Sequence, residues 1–487
     1  MPPLANATPT LGDLAALVEG RLSGPPETGV VDASADSRQI GPGWLFIAVP
    51  GASFDGHEFV AAAAANGAAG LCVSRSVESP LPTIEVSSTR AVMARLAAAV
   101  HHHPSLETSV VGVTGTNGKT TVTFLLESIA LYAGRACGLV GTIVTRLGDV
   151  YLENPHTTPE ATDLQRLFRR MVDGGAEIVA CEVSSHALAL GRAEETHFAV
   201  GAFTNLSQDH LDFHGRMEDY FAAKASLMKM SERKVIWVED SYGLRLAEEH
   251  PDALRVGWQQ EVSARDVAAD RSGTSFELVV PDGFAPARLR LPGRFNLANA
   301  LIAAGCAHLL GFDASQIADG LGALAAVPGR FEVIAGEPVT VVVDYAHTPE
   351  SIETVIETAR TLAGGRVVVV FGAGGDRDRG KRPQMGKAAS GADLVIVTTD
   401  NPRSEDPSTI TAEVMGGVDH PAAISILDRR EAVATALDSA QPGDIVLILG
   451  KGHETTQEID GIFHPFSDQK VARSLLAARS GEWAVGE

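Results

Sequence analysis

The chain has 487 residues, of which 45% are hydrophobic and 21% are charged, so it is long enough for about three folded domains and too apolar for a disordered protein. Its formal net charge of −22 argues against nucleic acid as a partner, because most of the surface would repel a phosphate backbone. The four cysteines are scattered, no apolar stretch reaches membrane-spanning length, and the start Met1-Pro2-Pro3-Leu4 lacks the basic and apolar regions of a signal peptide. We therefore expect a soluble protein of a reducing cytoplasm.

The first hundred residues predict a small α/β domain. Strand-like pieces at residues 44–49 and 71–73 flank an alanine-rich helix candidate at 59–69. A second helix candidate leads to His103-Pro104-Ser105, which we interpret as a linker that ends the helix. The first domain boundary is therefore expected near residue 105.

Residues 112–120, with the sequence GVTGTNGKT, predict a nucleotide phosphate site. They follow β-branched Val110 and Val111 and precede an apolar, helix-like segment, so the loop would turn its backbone N–H groups toward a polyphosphate. Lys119 would neutralise the β- and γ-phosphate oxygens, and the Thr120 hydroxyl could bind Mg²⁺. Five residues separate the first glycine from the Gly-Lys pair, where four are usual, so the loop is a variant typical of a narrower family.

The middle of the chain alternates strand and helix candidates, a pattern that predicts a mostly parallel sheet with helices on both faces. Glu182 ends the strand candidate 178–182, where it could bind Mg²⁺, although the following serines could equally well make the segment a helix cap. The strand candidate 199–203 leads into residues 204–214, which are dense in Asp and His. Those side chains could bind a second Mg²⁺ or orient ligands, or they could simply be solvated.

Two helical segments leave alternatives open. Lys224 lies in a helix-compatible segment, where the residues alone indicate an ordinary solvated lysine. Asn296 and Asn299 are three residues apart and would share a helix face, so they could read an adenine edge or cap the helix.

The pattern restarts at residues 339–344, and strand candidates at 366–371, 394–398 and 445–449 predict a Rossmann-like third domain. Each of these four strands ends in polar groups that together would form one lip of a cleft: Asp344 and His347; the charged glycine loop 372–382, interpreted as an anion-binding loop; Asp400-Asn401-Pro402-Arg403; and Gly450-Lys451-Gly452-His453-Glu454. A proline beside the Arg403 guanidinium suits bidentate recognition of a carboxylate.

Taken in order, these motifs closely resemble the Mur ligases of peptidoglycan synthesis over nearly the whole chain. The resemblance rests on GTNGKT at 115–120, EVSSH at 182–186, DHLD at 209–212, DYAH at 344–347, DNPR at 400–403 and GKGHE at 450–454. It implies three domains: a UDP-binding α/β domain at 1–105, a central ATP-binding domain with a mostly parallel sheet at 106–332, and an amino-acid-binding Rossmann-like domain at 333–487.

The resemblance also implies roles for individual residues. ATP would be bound by Gly115, Thr116, Asn117, Gly118, Lys119, Thr120, Thr121, Asn299, Arg330 and Asp344. The UDP-muramoyl peptide would be bound by Ser37, Thr157, Thr158, Ser184 and Arg192. Diaminopimelate would be bound by Arg377, Asp400, Asn401, Pro402, Arg403, Gly450 and Glu454. Mg²⁺ would be bound by Thr120, Glu182, His210 and Lys224 in carbamylated form, and the catalytic group would comprise Lys119, Glu182, His210, Lys224 and His347. Leu190 and His156 depart from the family, which often has Gln and Asn there.

The implied reaction adds meso-2,6-diaminopimelate to the D-glutamate γ-carboxylate of UDP-N-acetylmuramoyl-L-alanyl-D-glutamate through an acyl phosphate. ATP and Mg²⁺ would be the cofactors, and the protein would be a cytoplasmic monomer. The Asp-Asn-Pro-Arg motif favours diaminopimelate, since lysine-adding relatives lack the arginine. The alternatives are a lysine-adding muramyl ligase, a folylpolyglutamate-type ligase and, from another class, a nucleotide-dependent switch.

Overall fold

A computed structural model describes residues 8–51, 54–153, 156–270, 273–335 and 338–479. The described residues form successive α/β units, each built around its own sheet. The predicted α/β class with mostly parallel sheets is confirmed.

The first unit contains a five-stranded sheet in the order β1-β5-β4-β3-β2, in which β1 alone is antiparallel to its neighbour. Its elements are α1 (Leu11–Leu17), β1 (Arg21–Ser23), β2 (Asp32–Ser34), β3 (Trp44–Ile47), α2 (Val60–Ala65), β4 (Gly70–Val73), β5 (Thr83–Glu85) and α3 (Thr89–Val100). The histidine run ends α3, as predicted: His101 is its C-cap and His103 has a left-handed φ of 50° ahead of Pro104.

The central unit contains an eight-stranded sheet in the order β13-β12-β11-β6-β10-β7-β8-β9, parallel except for the hairpin β8–β9 and its pairing with β7. Its elements are β6 (Ser109–Thr114), α4 (Lys119–Tyr132), β7 (Cys137–Val140), β8 (Thr145–Leu147), β9 (Val150–Leu152), α5 (Ala161–Asp173), β10 (Ile178–Glu182), α6 (Ser185–Ala189), β11 (Phe198–Phe203), α7 (Leu211–His214), α8 (Met217–Lys229), β12 (Ser231–Trp237), α9 (Ser241–Glu249) and β13 (Leu254–Val256). Because β6, β7, β10 and β11 are parallel, their carboxyl ends share one sheet edge.

A three-stranded antiparallel sheet follows the parallel one and was not foreseen from the sequence. It consists of β14 (Ser263–Asp270), β15 (Gly273–Val280) and β16 (Gly283–Leu289), and the helices α10 (Arg294–Leu309) and α11 (Ala314–Ala323) come after it. Leu278, Leu289 and Leu321 are fully buried in the same hydrophobic core as Ile129 of α4. This small sheet therefore packs on the helix that begins at the phosphate loop.

The last unit contains a six-stranded sheet in the order β17-β18-β22-β19-β20-β21, parallel except for β17. Its elements are β17 (Glu332–Ala335), β18 (Thr340–Asp344), α12 (Pro349–Leu362), β19 (Val367–Phe371), α13 (Lys381–Ala389), β20 (Leu394–Val397), α14 (Pro407–Met415), β21 (Ala423–Ser425), α15 (Arg429–Ser439), β22 (Ile445–Leu449), a hairpin of β23 (Thr456–Ile459) and β24 (Ile462–Pro465), and α16 (Asp468–Arg479). The four predicted strands of this part coincide with β18, β19, β20 and β22. The sheet already begins at Glu332, the last residue of the central domain as the sequence predicted it.

All four cysteines are buried and free, in agreement with the expected lack of a disulfide framework. Within the described ranges, no helix combines the length and apolar character needed to cross a membrane.

Candidate active site

The phosphate loop connects β6 to α4, so the predicted order of strand, loop and helix is confirmed, and the helix begins at Lys119. Gly115 and Gly118 have φ values of 145° and 89°, a backbone conformation that favours glycine. A Cβ at Gly115 would lie 1.9 Å from Thr204 Oγ1, which itself donates to the Asn117 carbonyl over 2.6 Å. Lys119 Nζ donates to the carbonyls of Gly115 and Thr116, each over 2.9 Å, so the ammonium group lies over the loop.

Lys224 is buried beneath this loop and is not the solvated lysine that its helix alone indicated. Its Nζ donates to the Gly115 carbonyl over 2.6 Å and lies 4.7 Å from the centre of the Tyr220 ring. Burial, helped by the neighbouring Lys119 ammonium, lowers the pKa of Lys224 well below its usual value. The structure therefore favours a neutral amine at this position.

Glu182 stands at the carboxyl end of β10, where it is almost fully buried. Thr142, in the turn after the neighbouring strand β7, donates its backbone N–H to Oε1 and its hydroxyl to Oε2, each over 2.9 Å. The Thr142 hydroxyl also lies 3.0 Å from the Thr157 hydroxyl. Thr142 was not predicted, although it lies two residues beyond the end of the buried strand β7, at the same sheet edge as Glu182.

Four of the residues expected to bind the UDP-muramoyl peptide lie near the end of β10 at Glu182. The Thr158 hydroxyl donates to the Glu182 carbonyl over 2.8 Å and accepts from the Ser184 backbone N–H over 3.0 Å. Arg192 donates to the Thr158 carbonyl and pairs with Glu160 over 2.5 Å. The structure thus brings four of the five predicted residues together, while the fifth, Ser37, is buried in the first unit, where its carbonyl accepts from Asn66.

Asp209 links the central unit to the last one. Its Oδ1 accepts from Lys381 Nζ over 2.8 Å, and its Oδ2 lies 3.8 Å from His347 Nε2. Burial favours the protonated acid, but His347, His210 and Lys381 together hold the pKa of Asp209 below its usual range. Lys381, the first residue of α13, belongs to the predicted anion-binding loop 372–382, but its contact with Asp209 was not predicted.

His210 is adjacent to this pair and remains a metal-ligand candidate. Burial lowers its pKa to about 4, so the imidazole is neutral near pH 7, the form that binds metal ions. Its ring lies 4.8 Å from that of His186, measured between centroids.

Arg330 and Asn299 bring later parts of the chain to the phosphate loop. Arg330 Nη2 donates to the Thr120 hydroxyl over 3.3 Å, and its guanidinium lies 4.6 Å from the centre of the Tyr345 ring. Asn299 Oδ1 would be 2.2 Å from a Cβ at Gly118, so its amide touches the phosphate loop. Asp344 accepts from the backbone N–H groups of Phe331 and Ala346, and burial raises its pKa.

In the last unit, the third and fourth predicted strand ends form one polar network. Asn401 Nδ2 donates to Glu454 Oε2 over 2.8 Å, and the buried Lys451 Nζ donates to Asn401 Oδ1 and to Glu454 Oε2, each over 2.9 Å. A Cβ at Gly450 would lie 2.5 Å from Asp400 Oδ2. The third and fourth segments of the predicted cleft lip are therefore joined, and Lys451 of the fourth segment connects Asn401 to Glu454.

Arg403 connects this network to the glycine loop. It has a φ of 53°, donates from Nη1 to the Gly375 carbonyl over 2.6 Å and places Nε 3.2 Å from Glu458. Arg377, on the same loop, is exposed and donates to the Asp376 carbonyl. Pro402 approaches Gly375 so closely that a Cβ there would lie 1.8 Å from the proline carbonyl oxygen.

The residues expected to bind Mg²⁺ include only two of the usual acidic or imidazole types, Glu182 and His210. Accordingly, the described part of the chain has no cluster of three or more His, Cys, Asp or Glu side chains that could hold a metal ion by themselves. Of the expected ligands, Thr120 and Glu182 offer the oxygen atoms that Mg²⁺ takes, and Mg²⁺ usually keeps waters and substrate phosphates besides.

An acidic strand end beside a phosphate loop, with the Rossmann-like last unit in contact with the central one, defines the class as a nucleotide-binding α/β protein of several units. Three family models match the chain: Mur ligase family, catalytic domain, at residues 33–101; Mur ligase middle domain at 113–307; and Mur ligase, glutamate ligase domain, at 329–452. The chain belongs to the Mur ligase family.

Individual relatives cover nearly the whole chain. The UDP-N-acetylmuramoyl-L-alanyl-D-glutamate–2,6-diaminopimelate ligase of Gloeobacter violaceus is 44% identical over 468 residues, which are 93% of this chain and 95% of that protein. The enzyme of the same name from Aquifex aeolicus is 42% identical over 93% and 94% of the two chains. A solved structure of a ligase of this name is 33% identical, with a TM-score of 0.66 over 94% and 97%. MurF ligase of Thermotoga maritima in complex with ADP shares the fold at 21% identity, with a TM-score of 0.68 over 93% and 98%.

Proposed function

We propose that this protein joins meso-2,6-diaminopimelate to the D-glutamate γ-carboxylate of UDP-N-acetylmuramoyl-L-alanyl-D-glutamate, using ATP. The observation that supports this most directly is the network of Asn401, Lys451 and Glu454 beside Arg403, at the sheet edge of the unit that meets the phosphate loop. The relatives at 42–44% identity are named for the same reaction.

ATP is assigned to the phosphate loop, residues 115–121, with Asn299, Arg330 and Asp344 beside it. Backbone N–H groups at the loop and the start of α4 favour the negative charge of a polyphosphate, and Lys119 and Arg330 add positive charge there. Thr120, Glu182, His210 and a carbamylated Lys224 would hold Mg²⁺, which neutralises charge on the transferring phosphoryl group when it is bound.

Lys224 has the environment that carbamylation requires. Carbon dioxide reacts with a neutral amine, and burial lowers the pKa of this lysine, which favours the neutral form. The carbamate would convert a cation into an oxygen ligand. We expect Lys224→Ala to lose ligase activity. Lys224→Glu, which supplies a carboxylate at the same position, should have only part of the activity of the unmodified protein.

The reaction begins when the γ-carboxylate attacks the γ-phosphoryl group of ATP, which gives an acyl phosphate and ADP. Lys119 and Arg330 stabilise the developing charge by position rather than by proton transfer. The neutral amine of diaminopimelate then attacks the acyl carbon, the C–O bond to phosphate breaks, and phosphate leaves as the amide forms. Asp209, His347 and Lys381 join the two units where these groups must meet.

Diaminopimelate differs from lysine by one more carboxylate, and Arg403 is the residue we assign to it. Among the described residues, the contacts of this arginine use Nη1 and Nε, so Nη2 remains available for a ligand oxygen. Arg377, Asp400, Asn401, Pro402 and Gly450 would line the same pocket, and Glu454 would face an amino group. Lysine would offer no carboxylate oxygen to Nη2, which costs binding energy.

The same proposal includes the remaining expectations. The domains would span 1–105, 106–332 and 333–487, the protein would act as a monomer in the cytoplasm, and Ser37, Thr157, Thr158, Ser184 and Arg192 would bind the UDP-muramoyl peptide. The contacts of Thr158 with Ser184 and Arg192 support the assignment of the peptide end.

The test is phosphate release from Mg·ATP with UDP-N-acetylmuramoyl-L-alanyl-D-glutamate and either meso-diaminopimelate, L-lysine or no amino acid. Release and product with diaminopimelate alone is the expected result. Preference for lysine would favour the lysine-adding alternative, and release with a folate acceptor instead would favour the folylpolyglutamate type. ATP binding without amino-acid-dependent release would indicate a nucleotide switch.

A further inference from the structure

Thr142 has no role in the proposed reaction, yet it lies between two of its participants. Its two donors occupy both oxygens of Glu182, and its hydroxyl is 3.0 Å from that of Thr157, which we assign to the UDP-muramoyl peptide. The approach is close because residue 141 is a glycine: a Cβ there would lie 2.4 Å from Glu182 Oε1. The turn Gly141-Thr142 therefore fits around this carboxylate.

The direction of each hydrogen bond follows from the chemistry of the groups. An ionised carboxylate only accepts, so the Thr142 hydroxyl must give its single hydrogen to Glu182. The Thr142 oxygen can then only accept from Thr157, which uses its own hydrogen in doing so. The Thr157 hydroxyl oxygen then has only lone pairs on the side away from Thr142, so it can accept a hydrogen bond there but cannot donate one.

We propose that Thr142 is a positioning residue that fixes the Glu182 carboxylate and makes the Thr157 hydroxyl a hydrogen-bond acceptor for an amide N–H of the substrate's L-alanyl-D-glutamyl arm. Thr157 then recognises the peptide rather than a carboxylate of the D-glutamate, because it has no hydrogen to donate. The inference rests on the proposed function for the identity of the substrate. It predicts that substrate binding and metal binding at Glu182 depend on one hydroxyl.

The first test uses Thr142→Val, which keeps the shape and the backbone donor but removes the hydroxyl, with Thr142→Ser as the conservative variant. We expect Thr142→Val to weaken both Mn²⁺ binding, followed by electron paramagnetic resonance, and binding of the UDP substrate, followed by calorimetry, by about tenfold each, the size of one hydrogen bond to a charged group. Thr142→Ser should retain both affinities within about twofold. Thr361→Val is the matched control, since its hydroxyl bonds only to a helix carbonyl within α12.

The second test examines the direction of the bond from Thr157 with the unmodified enzyme. Two substrate analogues each replace one amide N–H of the L-alanyl-D-glutamyl arm by an ester oxygen. One of them should bind to the unmodified enzyme at least fivefold more weakly than the substrate. This difference in affinity should disappear in Thr157→Val. It should be smaller in Thr142→Val, because Thr157 then has a free hydrogen again.

The outcomes separate the two proposals. If the unmodified enzyme does not ligate the UDP substrate, the proposed function fails. If it does, but Thr142→Val retains both affinities or neither ester analogue binds more weakly, the role of Thr142 and Thr157 is refuted. Circular dichroism, with Thr361→Val for comparison, shows whether Thr142→Val is folded. If it is not, the proposal is decided by the weaker binding of the ester analogue to the unmodified enzyme and by the loss of that difference in Thr157→Val.

Discussion

The ion pair between Lys381 and Asp209 joins the central and last units, and its removal should cost more than that of a surface pair. The two atoms are 2.8 Å apart, and the side chains are only 12% and 9% exposed. With an effective dielectric constant of ~20, two unit charges at this distance attract by about 6 kcal/mol. Desolvation offsets part of this, and removing one partner of such a pair typically costs about 3–5 kcal/mol, because the other charge stays buried.

We therefore expect Lys381→Met to lower kcat/KM for ligation by about 100-fold, the lower end of that range, since each 1.4 kcal/mol is about tenfold. Asp209, without its ammonium partner, would oppose the arrangement in which the two units meet. Steady-state kinetics with all three substrates measures the loss. Lys387→Met is the matched control, because Lys387 lies on the same helix α13 but is exposed.

A double-mutant cycle isolates the pair itself. The double variant Lys381→Met/Asp209→Asn should lose much less in kcat/KM than the product of the two single losses. In the double variant, the second substitution removes a charge that has already lost its partner. If Lys381→Met behaves like Lys387→Met, or if the two losses simply multiply, the pair does not join the units energetically.

Three further changes test other parts of the site. Lys119→Ala should reduce turnover by roughly a thousandfold, because it removes charge stabilisation at the phosphate loop; substantial remaining phosphate release would contradict that assignment. Arg403→Ala should lower kcat/KM for meso-diaminopimelate by roughly 100-fold while L-lysine use stays unchanged; an equal loss for both would refute the specificity role. The hydrogen bonds from Arg382 lower the pKa of Glu405 from 4.5 to about 2, so their stabilisation is present above pH 4.5 and is lost as the pH falls toward 2. Melting temperatures from pH 7 to 2 should therefore fall less steeply in Arg382→Met than in the unmodified protein, and equal slopes would contradict the pairing.

Local features of the sequence determined much of the framework. The phosphate loop, the helix after it, and the strands β10, β18, β19, β20 and β22 were found because glycine placement and runs of β-branched residues act within a few residues of the chain. The rule that parallel strands end at one sheet edge then placed Glu182, Asp400 and Glu454 at sites of polar contact.

Only the tertiary structure decided which ordinary side chains join those groups. Thr142 has no distinguishing sequence context, and Lys381 and Lys451 lie in predicted polar segments that do not show which residue they contact. Their partners are 40, 172 and 50 residues away, respectively. The same holds for Lys224, which a helix pattern describes as solvated and the fold buries against Gly115. Periodicity reports which face of an element is apolar, whereas the identity of a distant partner, and the pKa shift that burial causes, depend on how the elements pack.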